Sequence, residues 1–192
     1  MMKKLNSFAF TAAKVLEVGH WLATAAAAVL LVLSLAAKDR LAAFLSDAGR
    51  AFGPRACVYG FELAAANPEG ILTPASVTLF SIGAVVIFSL MAMVFRNVCL
   101  IFRTSQGKTW FAKGDTPFQK DIVRMVREIG IFCISVPAVG LVMSVIARLA
   151  LGTEALEMSV NLSGFITGIL ILCLSQVFAY GVQLQKDEDG LL

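Results

Sequence analysis

The chain has 192 residues, of which 58% are hydrophobic and only 15% charged, and its formal net charge is +3. With a mean hydropathy of +0.82, it lacks the charged surface that a soluble domain of this length needs over a single core, which excludes an ordinary cytosolic globule. The charges are also unevenly spread: residues 18–37, 71–95, 129–147 and 158–185 carry none, over 20, 25, 19 and 28 residues.

Each charge-free run can cross about 30 Å of hydrocarbon as a helix rising about 1.5 Å per residue. The expected fold is an all-α membrane protein with four transmembrane helices, about 15–37, 73–102, 128–149 and 160–184, in one integral membrane domain over 1–192. An outer loop (38–72), a cytoplasmic loop (103–127) and a cytoplasmic tail (185–192) complete it.

Lys14, Glu17, His20 or Trp21, and Thr24 follow each other at three- to four-residue spacing and form a polar stripe at the cytoplasmic end of span one. A lysine-led start ahead of an apolar run also fits a secretory signal peptide. The long polar lead, its interruption by Glu17 and His20, and the spanning length favour a retained helix. In the outer loop, Leu41, Phe44, Leu45, Ala48 and Phe52 fit an amphipathic helix on the outer membrane surface, ended by Pro54. Residues 56–63 alternate poorly, and Asn67, Pro68, Glu69 and Gly70 read as a turn.

After span two, Thr116, Pro117, Phe118 and Gln119 fit a capping box with proline at the first helical position, so a helix is predicted from Thr116. Its apolar face is Phe118, Ile122, Met125, Val126 and Ile129, and its polar face Lys120, Arg124 and Arg127. This cytoplasmic surface helix should run into span three, where Pro137, followed by Gly140 nearly one turn on, predicts a kink. In span four, Gly164 and Gly168 have the GxxxG spacing of a tightly packed helix pair.

Two hairpins of like orientation fit parallel repeats: Glu17-Val18-Gly19 and Glu128-Ile129-Gly130 begin spans one and three, while Val94-Phe95 and Val177-Phe178 share offsets to a following base and glycine. Chance agreement in apolar sequence accounts for the match as well.

Lys3, Lys4, Lys14, Arg96, Arg103, Lys108, Lys113, Lys120, Arg124, Arg127 and Lys186 lie on one side of the spans, against Lys38, Arg40, Arg50, Arg55 and Arg148 on the other. The positive-inside bias places both termini and the middle loop in the cytoplasm. The weak net positive charge then belongs to a membrane surface rather than to direct nucleic-acid binding.

No chemistry-bearing constellation stands out. Gly107-Lys108-Thr109 resembles the end of a phosphate loop, but Phe102 stands where the first glycine is required. His20 is the only histidine, the four cysteines show no metal spacing, and no nucleophile has a recognisable setting, so neither metal, cofactor nor enzymatic activity is expected.

Glu17 and Glu128, with His20, could form an intramembrane polar site that binds a cation or relays protons. They could equally anchor their helices at headgroup depth through Lys14, Arg124 and Arg127. Ser175, Gln176, Tyr180 and Gln183 form a polar seam suited to interhelical hydrogen bonds. The basic face Lys120, Arg124 and Arg127 fits either anionic lipid or an acidic protein.

Gly114-Asp115-Thr116-Pro117-Phe118, then Ile122, Val123, Arg124, Ile129 and Gly130, resembles the central signature of the bacterial domain-of-unknown-function family numbered 2975, small four-span membrane proteins. The end of the chain, Val177, Phe178, Gly181, Leu184, Gln185 and then Asp187, Glu188, Asp189, Leu191 and Leu192, resembles it too. The resemblance covers span two to the C-terminus, and departs from the pattern at Gly190 and in a longer outer loop. It implies no catalytic residues, and frequent genetic pairing with small helix-turn-helix regulators.

The expectation is a non-enzymatic protein of the bacterial inner membrane, a regulatory or sensory partner using residues 108–127 and the tail (Lys186, Asp187, Glu188, Asp189) to engage a cytoplasmic protein. That protein could be a helix-turn-helix transcription regulator. The alternative is a small transporter or channel subunit acting as a homo-oligomer, with Glu17, His20, Glu128 and Gln176 along its path. Four spans enclose little volume, so a homo-oligomer or a larger complex is expected either way.

Overall fold

The computed structural model of the protein describes residues 2–37, 41, 56–63, 73–112, 118–151 and 162–190. In chain order the elements are α1 (Met2–Ala36), β1 (Ala56–Val58), β2 (Phe61–Leu63), α2 (Pro74–Thr104), α3 (Lys120–Leu151) and α4 (Ser163–Asp189). Helix dominates, and four helical segments are long and apolar enough to cross a membrane: Ser7–Ala36, Pro74–Thr104, Lys120–Ala150 and Ser163–Asp187. The outer-surface helix expected from Leu41 to Phe52 lies, apart from Leu41, outside the described residues, as does the turn at 67–70.

Helix boundaries follow local chemistry. Thr73 caps α2, its Oγ1 accepting from the Ser76 amide at 3.3 Å. Pro74 fills the first helical position, where its missing N–H costs nothing. α2 ends in a Schellman turn: the Lys108 amide donates to the Arg103 carbonyl (2.9 Å), and the Gly107 amide to that of Thr104 (3.0 Å). Gly107 supplies the left-handed residue at φ 67°. The glycine-lysine pair reminiscent of a phosphate loop is thus a helix terminator.

α3 begins at Lys120, four residues later than the predicted capping box. Phe118 and Gln119 are not helical, and the Gln119 carbonyl accepts the first helical bond, from the Val123 amide at 3.1 Å. The cause is tertiary: the Phe118 ring lies against α4, its centroid 6.1 Å from that of Phe178. A Cβ at Gly181 would stand 2.6 Å from the Phe118 ring. Docking this ring outweighs the propensity of the proline to start a helix. Thr116 and Pro117 themselves lie outside the described residues.

The described contacts group into two compact units. The first comprises Met1–His20, Leu90–Ser135 and Ser163–Leu192. Its core is Ile122, Met125 and Val126, packed by Leu100, Ile101, Phe111 and Ile171. The segment expected to lie on a membrane surface is therefore the opening of α3, with its apolar face turned to protein. Within this unit α3 and α4 come to backbone contact. A Cβ at Gly168 would stand 2.5 Å from Ile134 Cγ1 and 2.8 Å from the Gly130 carbonyl oxygen, so glycine is required on both helices.

The second unit comprises Trp21–Ser89 and Val136–Leu162. It contains an antiparallel hairpin that the sequence pattern does not predict, with Val58 paired to Phe61 across the turn. Tyr59 and Gly60 have φ of 51° and 83°, the type I′ geometry that matches strand twist. The turn is held by its aromatic neighbours. Phe61, 2% exposed, stacks on Phe80 at 5.6 Å and touches the space above Gly83, where a Cβ would stand 2.9 Å from its ring. Tyr59 meets Phe88 edge-on at 6.4 Å, and burial pushes its phenol above the ordinary value of 10.0. Hydroxyls link α1 to α2 here: Thr78 Oγ1 lies 2.9 Å from Ser34 Oγ, whose own proton goes to the Leu31 carbonyl at 2.7 Å.

Candidate functional site

In the first unit, the buried side chains of α2 include Asn97 (4% exposed) and Cys99 (5%). Two residues apart on a helix, they point to different flanks. Each meets one of the carboxylates singled out in the sequence. Glu17 of α1, 8% exposed, accepts from Lys14 Nζ at 2.8 Å and lies beside the Cys99 thiol. Glu128 of α3 accepts from Asn97 Nδ2 at 2.9 Å, and its second oxygen lies 3.5 Å from Arg124 Nε. Both acids therefore have a cationic partner, and Glu128 an amide donor as well. A cation beside each offsets the cost of a carboxylate near hydrocarbon.

His20 is similarly engaged. Its Nδ1 lies 2.7 Å from the Leu16 carbonyl, so that nitrogen carries the proton, and the ring rests on Phe95 at a centroid distance of 5.1 Å. Among the described residues no three metal-ligating side chains come together.

The other sequence-selected residues fall in separate places. Lys120, Arg124 and Arg127 are exposed along one side of α3, and Lys186 and Asp187 are exposed near the end of α4. Glu188 and Asp189 continue that helix, with side chains outside the described residues. Gln176 is exposed on α4, so this chain does not bring it to Glu17, His20 and Glu128. Gly168 makes the close helix crossing, with Gly130 rather than a second GxxxG as its counterpart, and Gly164 is half-buried. Gly140 faces Phe61, whose Cβ would lie 3.8 Å from an added Cβ. Pro137 lies within the single continuous helix α3.

Asn97, Cys99, Gly130 and the Phe118–Gly181 contact escape the sequence reading. Asn97 had a usable signal: an amide beside Arg96, seven residues before the end of a spanning helix, needs a partner. Gly130 and Gly181 had none, because a close approach is a property of two helices at once.

The helices and this satisfied polar cluster define a multi-pass helical membrane-type protein. No family model matches the chain, and no curated protein or solved structure matches it. The likeness to the four-span family therefore rests on its two motifs.

Proposed function

We propose that this is a non-enzymatic protein of the bacterial inner membrane, with both termini cytoplasmic, that engages a soluble cytoplasmic protein as a regulatory or sensory partner. The observation that carries the reading is the two-sided opening of α3. Ile122, Met125 and Val126 are locked into a protein core, while Lys120, Arg124 and Arg127 stand exposed on the other side. A basic face held by a packed core has little order to lose on docking an acidic surface, and its charge steers the encounter. Eleven of the 16 bases, named above, lie on the same side of the spans, which supports the orientation. Membership of the four-span family is part of the proposal, and with it a helix-turn-helix regulator as the partner.

The second reading, a transporter or channel subunit, draws on the burial of Glu17 and Asn97 beside spanning helices. Against it, each carboxylate is already paired with a base of its own helix. The test is co-purification from gently solubilised membranes. A specific soluble protein should be recovered with the wild type and with E17Q/E128Q, and lost with K120E/R124E/R127E. Recovery of anionic lipid alone would overturn the reading in favour of a lipid-binding face.

A further inference from the structure

α4 has two unlike faces. One packs within the first unit through Gly168, Ser175 and Gly181. The other runs through Ile166, Ile169, Cys173, Gln176, Tyr180 and Gln183, alternating steps of three and four residues. Every one of these six is exposed: Ile166 59%, Ile169 53% and Tyr180 64%, Cys173 as a free thiol, and both glutamines. A repeat of 3.5 residues is the pattern that keeps one seam of a helix against a parallel neighbour in a left-handed crossing.

Gln176 decides what covers the seam. It lies one residue from the midpoint of the spanning segment Ser163–Asp187, where lipid chains offer nothing to its amide. Among the described residues neither Gln176 nor Gln183 has a side-chain hydrogen bond. A carboxamide both donates and accepts, so it is complementary to itself. Copies inserted with the same topology present α4 in parallel, and a two-fold axis along the membrane normal sets each seam residue opposite its own counterpart.

We propose that α4 is the seam of a parallel homodimer, held in register by Gln176 bonding to the same residue of a second copy. The two glutamines are seven residues apart and so share one heptad position, which penalises any slipped register. The seam from Ile166 to Gln183 carries no formal charge, so no oppositely charged partner is called for. The proposal needs only that α4 spans the bilayer and is independent of any recruited soluble protein.

The native thiol at Cys173 supplies the test. In liposomes, full-length C57S protein treated with membrane-permeant iodine should give a disulfide-linked dimer that C57S/C173S does not. Moving the thiol to another exposed face, in C57S/C173S/L174C, should abolish the dimer. In C57S/Q176L the uncrosslinked dimer, followed by energy transfer between labelled copies, should dissociate about three- to thirtyfold more readily. Leucine is at home on a lipid-facing helix, so that variant keeps its fold. Absence of the Cys173 crosslink, equal crosslinking from position 174, or unchanged association of the Q176L variant would overturn the proposal. So would crosslinking in cells to a different membrane protein in place of a second copy.

Discussion

The two units solve the problem of cohesion in an apolar chain by different means. The first joins α2 to α3 through the Asn97–Glu128 hydrogen bond and α3 to α4 through their glycine contact, while Lys14 neutralises Glu17 within α1. The second has no ion pair among its described residues. It relies on an aromatic plug, Phe61 on Phe80 and Tyr59 on Phe88, with hydroxyl bonds between α1 and α2. Hydrophobic burial alone does little to hold helices together in lipid, since lipid is as apolar as leucine. Close backbone approach and internal hydrogen bonds do that work in the first unit. In the second, a short hairpin fills space that the helices leave.

The sharpest way to break this contrast is F61A. Removing a fully buried ring from its stack should cost about 3–5 kcal/mol. The loss should appear as faster proteolysis near the hairpin, with the Phe118–Gly181 contact of the first unit intact by site-specific labelling. Next comes G168V, which forces branched carbon into the Gly130 carbonyl and Ile134. A cost of about 1–3 kcal/mol is expected in detergent unfolding, with Cys57 reactivity unchanged. If either variant loosened both units equally, the distinction between them would fail.

Much of the fold was legible because charge-free runs of spanning length are a coarse signal that tertiary context does not override. The buried face of Ile122, Met125, Val126 and Ile129 was legible for the same reason: helical periodicity repeated over two turns. The hairpin was not. Three-residue strands give too few positions to show alternation, and Tyr59 stands where asparagine or aspartate would announce a type I′ turn. The start of α3 was misplaced because a ring docking on Gly181 competes with a good local cap, and sequence shows only the cap. In the polar cluster Glu17 and Glu128 were visible as acids beside apolar runs, whereas their partners Asn97 and Cys99 depend on how α2 lies between α1 and α3.

A smaller effect sharpens the account of the hairpin. The Tyr59 phenol is favoured in its neutral form, so its folded value lies above the unfolded one near 10. The neutral ring contributes fully below about pH 10. That contribution is lost as pH rises through the unfolded value towards the folded one. Absorbance titration of Y180F, which leaves Tyr59 as the one tyrosine of the chain, should show ionisation displaced upward from that of free tyrosine. An unshifted titration would mean that the ring is not seated against Phe88.

The proposed function requires the hairpin to lie outside the cell and the termini and the basic face of α3 to lie within. Thiol labelling of intact bacteria, outer membrane permeabilised, with a membrane-impermeant maleimide tests it most directly. Cys57, exposed in the hairpin, should be labelled in intact cells. In a C57S background, a cysteine replacing exposed Gly190 should be labelled only after the inner membrane is opened. Labelling of G190C in intact cells, with Cys57 protected until lysis, would contradict the account and place the basic face where no cytoplasmic protein could reach it.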